Sequence, residues 1–262
     1  MGKIVIRLVF LVACFLALWL GLSQFNLVKM LKVEEAKSST EEKLAKLLLE
    51  VYTATDNSAD EASIHLVKEI KNKLCRGNDI DSSNFKIHVI MKDEINAFAL
   101  PDGHIVVYSG LIKECQNAEE LAGVMAHEMA HIHENHIMKK LAREFGASVL
   151  SSLSGGTVTE IARMIASTGY SRKLEAEADE FAVKYMIAAN VDPEPMADFM
   201  YRLSTMGSDL PNYMVWMSTH PDSENRAQSI LDQIEDEDYI PEPILSDEQW
   251  ETLQSIHEEQ EW

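Results

Sequence analysis

The sequence predicts an α+β fold that is predominantly helical and contains a small β-sheet. Through much of the chain, apolar residues recur every three or four positions, which is the spacing of one helix face. Three short runs instead alternate or cluster their apolar residues as strands do, and these are Phe85–Met91, Ile95–Leu100 and His104–Tyr108. Pro101, Asp102 and Gly103 form a strong turn signal between the last two runs, so a hairpin is expected there.

Helices are expected on both sides of the strands. Glu34–Thr53 and Asp60–Leu74 precede the strands, and each has one apolar face. Asn117 is a suitable N-cap for a helix that continues through Glu134. The helices expected after it cover Lys139–Leu150, Thr159–Thr168, the segment that follows Ser171, the segment from Asp192 to Thr205, and Ser223–Ile234. Ser151–Gly156 is interpreted as a flexible break.

The composition limits the class of partner. The 262 residues carry a formal net charge of −20, and a nucleic-acid partner is not expected because phosphate binding requires a basic surface. Asp232–Trp262 contains twelve acidic residues and no Lys or Arg. We interpret this tail as a solvated, partly disordered extension with one weak amphipathic stretch at Ser246–Ile256.

The N-terminus has the pattern of a targeting or anchoring segment, because Lys3 and Arg7 precede an almost unbroken apolar run over residues 8–22. Three alternatives are open: an uncleaved membrane anchor, a signal peptide cleaved near Gly21, and, less favoured, a lipoprotein signal that ends at Cys14. Each of them exports the rest of the chain. The protein is therefore expected at the inner membrane facing the periplasm, or in the periplasm after cleavage.

These patterns divide the chain into a signal or anchor segment at residues 1–30, one domain at residues 31–235 and the acidic tail at residues 236–262. The domain contains two cysteines, Cys75 and Cys115. They would pair only in an oxidising compartment, so the compartment decides between a disulfide and two free thiols, of which the free thiols are favoured.

The motif with the most chemical content is H-E-x-x-H at His127, Glu128 and His131. On a helix, His127 and His131 lie one turn apart on the same face, so both imidazoles can reach one metal ion. Glu128 lies about 100° round the helix from His127, where a carboxylate can take a proton from an activated water. The pattern is a known signature of zinc metalloproteases.

Three further ionisable groups follow in the same segment and are interpreted as structural. On a continuous helix, His133 and His136 lie roughly 240° and 180° from His127, off the metal face. Glu134 shares the metal face one turn further on, and we expect it to cap the helix or face solvent.

A catalytic zinc takes three protein ligands and leaves a fourth position for water, so a third ligand is required. Glu175, Glu177 and Asp179 form the best downstream concentration of candidates. On a helix, Glu175 and Asp179 share a face, so one can bind the metal while the other orients a ligating imidazole. Glu177 lies about 200° from Glu175 and is expected to point away.

Four motifs occur in a fixed order along about half of the chain. They are Asn96-Ala-Phe-Ala-Leu-Pro, the H-E-x-x-H motif with His136, Glu175-Ala-Glu-Ala-Asp179, and Thr219-His-Pro with Arg226. In these motifs the sequence resembles the CAAX prenyl protease/HtpX-like metallopeptidase family, peptidase family 48. The resemblance implies a zincin-like (gluzincin) fold with a small β-sheet beside the active-site helix.

The resemblance also implies roles for individual residues. It implies one Zn²⁺ per chain, bound by His127, His131 and Glu175. It implies that Glu128 is the general base and that His220 is a catalytic residue over the cleft, where it stabilises the oxyanion or gates the metal. The remaining assignments are Asp179, which would orient a ligating imidazole, and the substrate-binding residues Asn96, Ala97, Phe98, Ala99 and Arg226.

The resulting hypothesis is a zinc-dependent endopeptidase that acts on unfolded or misassembled proteins outside the cytoplasm, with possible envelope assembly or quality-control partners. The single apolar segment resembles the soluble or singly anchored branch of the family, so prenylated substrates are not expected. The alternative is a non-proteolytic chaperone or assembly adaptor whose zinc site is kept latent by His220. The strand pattern does not distinguish two roles for the hairpin. It fits equally an edge that pairs with an extended substrate and a hairpin that only supports the core.

Overall fold

The computed structural model describes residues 33–53, 58–146, 155–205, 215–221, 223–235 and 237–257. The chain divides into residues 1–41 and a compact unit formed by residues 42–262, which contains the sheet and the candidate metal centre. The predicted N-terminal segment at residues 1–30 lies outside the described residues, as does Cys14. None of the described helices is both long and apolar enough to cross a membrane.

The described chain is mostly helical, which confirms the predicted fold class. The helices are, in order, α1 (Val33–Thr53), α2 (Glu61–Gly77), α3 (Ser109–Glu114), α4 (Ala118–His133), α5 (His136–Phe145), α6 (Gly155–Ser167), α7 (Arg172–Ala188), α8 (Glu194–Thr205), α9 (Val215–Thr219), α10 (Ser223–Ile234) and α11 (Asp247–Gln254). The short helices α3 and α9 have too few residues to show a periodic pattern and were not predicted.

One three-stranded sheet is formed by β1 (Lys86–Ile90), β2 (Ala97–Leu100) and β3 (His104–Tyr108). The central strand β3 pairs in parallel with β1 and antiparallel with β2 through the predicted hairpin. At the turn, Gly103 has φ +76, and a Cβ there would lie 2.0 Å from the Asn84 carbonyl oxygen, so only glycine fits.

The sheet is buried on both faces, because alternate residues along each strand enter different apolar clusters. Ile105 and Val107 pack into the larger cluster around α4 and α7. Val106 and Tyr108 pack into a second cluster that includes Leu44 of α1 and residues of α5 and α6. This double burial explains why the strand sequences are nearly continuous apolar runs.

Helix α4 is the centre of the larger cluster. Asn117 caps it as predicted, since its side-chain oxygen accepts a hydrogen bond of 2.9 Å from the Glu120 backbone N–H. From Ala118 to His131 every residue except Glu119 is buried. The helix therefore carries the H-E-x-x-H motif inside the protein, with α7, α8, α2 and β2 against it.

The chain after α4 differs from the prediction at two positions. Asn135 adopts the left-handed conformation (φ 54, ψ 31), which separates α4 from α5. Helix α5 then ends at Phe145 because Gly146 has φ +75, so the prediction of a helix continuing through Gly146 is wrong. Residues 147–154, which include most of the predicted flexible break, lie outside the described residues.

The acidic tail packs on the core over residues 244–256, whereas residues 237–243 are mostly exposed. Leu245, Leu253 and Ile256 are buried in the main cluster, and the Gln254 amide donates a 2.7 Å hydrogen bond to the Cys115 carbonyl oxygen. The prediction of a solvated extension is therefore wrong for residues 244–256, and the amphipathic stretch at 246–256 is confirmed as α11. Cys75 and Cys115 are both buried free thiols, as interpreted from the sequence.

Candidate metal centre

Two helices bring the predicted metal ligands together. His127 and His131 project from one face of α4, and Glu175 projects from the first turn of α7, which packs along α4. All three side chains are at most 1% exposed. The geometry of one helix is enough to bring His127 and His131 together. The approach of Glu175 depends on how α7 packs on α4.

The three side chains have the spacing of ligands on one small tetrahedral cation. His127 Nε2 lies 3.0 Å from His131 Nε2 and 3.5 Å from Glu175 Oε2, and His131 Nε2 lies 3.6 Å from Glu175 Oε1. Bonds of about 2.0–2.2 Å to a tetrahedral zinc ion would separate ligand atoms by about 3.3–3.6 Å. The donor set therefore fits zinc.

Asp179 holds the outer nitrogen of His127, as the sequence led us to expect. Its Oδ1 lies 2.9 Å from His127 Nδ1, which therefore donates the hydrogen bond. With the proton on Nδ1, the lone pair of Nε2 points toward Glu175 and His131 and is free to bind a metal.

Arg226, predicted to bind substrate, contacts the acidic side chains of the centre in the described part of the chain. The side chain is buried and donates hydrogen bonds of 2.7 and 2.8 Å to the two carboxylate oxygens of Asp179. It also lies 2.7 Å from Glu175 Oε2 and donates to the His220 carbonyl oxygen. Its guanidinium is thus committed to holding the acidic residues of the centre in place.

His220 lies among the ligands rather than at a distance above them. Its Nδ1 is 3.2 Å from His127 Nε2 and 3.2 Å from Glu175 Oε2, and its Nε2 is 3.3 Å from Glu128 Oε1. His127, His131, Glu175 and His220 together form a group that could hold one metal ion. Trp216 stacks on the His220 ring with centroids 4.9 Å apart, which fixes its orientation.

Glu128 is buried at 1% exposure and is held by the sheet. Its Oε2 accepts a hydrogen bond of 2.9 Å from the Ala99 backbone N–H, and its Oε1 has no hydrogen-bond partner among the described residues. Burial raises the pKa of Glu128, and the neighbouring His220 and His127 oppose this only in part. A raised pKa suits a group that must accept and then return a proton near neutral pH.

The electrostatics of the ligands favour a positive charge where their atoms converge. Burial opposes protonation of His127, but hydrogen bonds with Asp179 and Glu175 outweigh it and raise the pKa to about 9. Burial, followed by repulsion from His127, lowers the pKa of His131 well below its usual range. Burial also opposes ionisation of Glu175, but contacts with His220 and His127 hold its pKa below the usual range.

The predicted substrate strand forms one edge of the described sheet. The Tyr108 N–H bonds to the Asn96 carbonyl oxygen, and hydrogen-bonded pairs alternate along an antiparallel ladder. Phe98 therefore pairs with β3, whereas Ala97 and Ala99 direct their backbone groups to the outer edge. Among the described residues, Glu128 occupies the Ala99 N–H on that edge.

Two further residues meet on the outer side of His131. His136 Nδ1 lies 2.9 Å from His131 Nδ1, and Glu177 Oε2 lies 3.5 Å from His136 Nε2, so both residues lie outside the ligand group but contact each other behind it. Tyr170, which has no sequence signal, stacks on the His131 ring with centroids 4.0 Å apart. The one sequence signal for the contact between His136 and His131 is the presence of a histidine five residues after His131.

The sequence that forms this centre matches a described class of proteins. Residues 66–234, more than half of the chain, match the sequence profile of peptidase family M48. The chain belongs to peptidase family M48. The resemblance expected from the motifs is therefore confirmed, and M48 membership implies metal dependence and polypeptide substrates.

Individual relatives are distant. The chain is 28% identical to the mitochondrial metalloendopeptidase OMA1 of Schizosaccharomyces pombe over 73% of this chain and 59% of that protein. It is 28% identical to the metalloprotease YcaL of Escherichia coli over 60% of this chain and 65% of that protein. It is 25% identical to the beta-barrel assembly-enhancing protease of Yersinia pestis over 63% and 39%, respectively. Each match thus spans less than two thirds of the relative.

Proposed function

We propose that this M48 protein is a zinc-dependent endopeptidase that hydrolyses unfolded or misassembled proteins outside the cytoplasm. The observation that carries the proposal is the buried group of His127, His131 and Glu175, with the spacing of tetrahedral zinc ligands. Glu128 lies beside this group, so ligands and base are complete. When bound, zinc would act as a Lewis acid that polarises the scissile carbonyl and activates water.

The protein residues supply positioning and proton transfer. Asp179 keeps the proton of His127 on Nδ1 and so leaves Nε2 available as a ligand. Glu128 takes a proton from the attacking water and returns it to the leaving amine, for which its buried carboxylate and raised pKa are suited. His220 reaches the same space and can donate a hydrogen bond to the developing oxyanion.

We propose that an extended peptide pairs with the outer edge of β2 once that edge is uncovered, because all four residues of the strand are buried in this structure. Pairing with the backbone of Ala97 and Ala99 does not depend on the side chains of the substrate. It therefore suits unfolded proteins of different sequence. The Ala99 N–H is the group that Glu128 occupies, so substrate would displace this bond and release the base. We therefore assign Ala97 and Ala99 to substrate binding, with Asn96 and Phe98 joining this edge to β3.

The proposed location rests on the N-terminal sequence and on the relatives. Residues 1–30 carry the pattern of an anchor or signal segment. One relative is named a beta-barrel assembly-enhancing protease, which supports a role in envelope protein quality control for this chain. We propose attachment at the inner membrane facing the periplasm, or release into the periplasm if the segment is cleaved.

The test is Glu128→Gln, because glutamine keeps the size and hydrogen-bond acceptor of the side chain but accepts no proton. We expect the variant to bind zinc as the wild type does and to lose cleavage of casein, by at least about 10²-fold as for removal of a general base. Addition of a chelator should abolish wild-type cleavage. Casein cleavage by Glu128→Gln at the wild-type rate would contradict the mechanism.

A latent adaptor is the second candidate, and the position of His220 favours it. His220 lies within ligand distance of His127 and Glu175, where it can fill the fourth metal position that water needs. A protein closed in this way protects clients without cutting them. His220→Ala distinguishes the candidates: a rise in casein cleavage indicates a cap, and a fall indicates an oxyanion role. Client protection that persists with chelator, with no cleavage by either form, would favour the adaptor.

A further inference from the structure

His131 is held on its outer side by a histidine rather than by a carboxylate. The His131 and His136 Nδ1 atoms lie 2.9 Å apart, and both rings are fully buried. Tyr170 covers the face of the His131 ring. Nε2 of His131 faces the other proposed ligands, so among the described residues the contact from Nδ1 to His136 is the polar contact that holds the outer side of the ring.

Proton positions follow from the requirement that His131 bind metal through Nε2. Its Nε2 must then carry a lone pair, so the proton of the neutral ring lies on Nδ1 and is donated to His136 Nδ1. His136 accepts there and must carry its own proton on Nε2. That N–H is buried, lacks a hydrogen-bond partner among the described residues and faces Glu177 Oε2 at 3.5 Å.

We propose that His136 and Glu177 form a relay that positions His131 for metal binding, an inference that rests on the proposed zinc site. Glu177 is 35% exposed at its side chain and can shift the few tenths of an ångström needed to accept the His136 Nε2–H. The carboxylate thus fixes the His136 tautomer, and His136 fixes the tautomer and ring angle of His131. His127 is held directly by a carboxylate, Asp179. The two histidine ligands on α4 are therefore oriented differently, one by a carboxylate and the other through His136.

The proton positions on His131 and His136 also exclude a second metal ion at His136 while the first site is loaded. Glu134, His136 and Glu177 have ligand atoms close enough to hold a cation. Binding through His136 Nε2 would move its proton to Nδ1, where it would face the proton on His131 Nδ1 at 2.9 Å. The cluster therefore orients the centre and does not bind a metal while the first site is loaded.

The backbone explains how His136 reaches this position. On an unbroken helix it would lie about 180° from His127. The left-handed turn at Asn135 instead starts a new helix at His136 and folds its side chain back onto His131. Asparagine tolerates this conformation better than other non-glycine residues.

The experiment measures zinc affinity by chelator competition at one fixed pH, together with the visible absorption spectrum of the cobalt-substituted protein. His136→Leu removes both hydrogen bonds, and we expect zinc affinity to fall about 10–100-fold and the cobalt spectrum to change. His136→Asn keeps an acceptor for the His131 N–H, although it does not reach Glu177, and should lose less zinc affinity than His136→Leu. Glu177→Gln should lose less than His136→Leu, because the amide oxygen still accepts.

Matched controls separate positioning from folding and from the zinc proposal itself. Glu180→Gln is a control on α7, the helix that carries Glu177. It removes an exposed charge that pairs with Lys184, and it should leave the zinc affinity unchanged. Wild-type affinity in His136→Leu, or a loss in His136→Asn as large as in His136→Leu, would overturn the relay. Two zinc ions per wild-type chain, falling to one in His136→Leu, would overturn it in favour of a cation site. A wild type that binds no zinc would refute the proposed function and the relay together.

Discussion

Arg226 shows how the centre accommodates acidic residues inside the protein. The guanidinium is 6% exposed and neutralises two carboxylates, Asp179 and Glu175, with a bidentate pair to the first. Buried charges are costly unless paired, and removal of one partner leaves the other uncompensated. Asp179 can orient His127 only because Arg226 stabilises its charge.

Replacing Arg226 with Gln should therefore destabilise the metal-free protein. We expect the free energy of unfolding to fall by about 3–5 kcal/mol, measured by urea denaturation, because two buried carboxylates lose their counter-charge. The double variant Arg226→Gln/Asp179→Asn should lose less than the sum of the single changes, since the carboxylate that needed the charge is gone. Strict additivity would contradict a direct Arg226–Asp179 coupling.

The close packing of α4 on α8 limits side-chain size. A Cβ on Gly123 would lie 2.4 Å from the Met196 Cβ, so this glycine is required by the approach of the two helices. Such overpacking in a core costs typically about 1–3 kcal/mol. The motif helix thus keeps its position through a contact remote from the metal ligands.

Gly123→Ala should lower the free energy of unfolding by about 1–3 kcal/mol, even though alanine has the higher helix propensity. Gly156→Ala in α6 is the control, because a Cβ there meets nothing within 4 Å. It should be neutral or slightly stabilising. Equal effects of the two changes in thermal unfolding would show that α4 and α8 do not restrict each other.

The sheet contains a histidine pair that responds to acid. His88 Nε2 and His104 Nδ1 lie 2.7 Å apart across β1 and β3, with Lys86 and Asp102 alongside. One ring must donate and the other accept, so double protonation breaks the pair. Burial, followed by repulsion from His88, lowers the pKa of His104 from 6.5 to about 4.

Stability should therefore decline as the pH falls from about 6.5 toward about 4. In this window the unfolded chain binds a proton at His104 that the folded chain resists, so folding loses free energy with decreasing pH. We expect about 1 kcal/mol, or roughly 2–4 °C in the melting temperature, given partial solvent access. His104→Gln should reduce this decline and His65→Gln, an exposed control on α2, should not.

At the scale of the whole molecule, the C-terminal segment closes the core on the side of α2 and α3. Lys73 donates to the Pro243 carbonyl oxygen, and the Ile244 N–H donates to Glu119 at the start of α4. Leu253 is fully buried. The segment therefore supports the helix that carries the metal ligands, despite its acidic composition.

Leu253→Ala should lower the free energy of unfolding by about 2–5 kcal/mol, because it leaves a cavity in a packed core. Ile240→Ala is the matched control in the same segment, since Ile240 is 80% exposed. Thermal unfolding should show a clear decrease for the first and almost none for the second. A solvated tail would give no change for either.

The sequence by itself determined the features that depend on residues within one or two helical turns. The spacing of His127 and His131, the cap at Asn117 and the hairpin at Gly103 are of this kind, because side-chain direction follows from local backbone geometry. The ordered motifs also indicated the M48 family, which the profile match confirmed. Fold class and the α4 pair of candidate ligands therefore follow from local sequence patterns alone.

Only the tertiary structure decided which distant groups meet. Packing of α7 on α4 brought Glu175 to His127 and His131, and it placed Glu177, which helical angles exclude as a ligand, against His136. One left-handed residue, Asn135, turned His136 back toward the metal ligands. The acidic tail packed because a few apolar residues on one face of α11 outweigh its charge. These outcomes depend on long-range packing and single backbone angles, which periodicity does not encode.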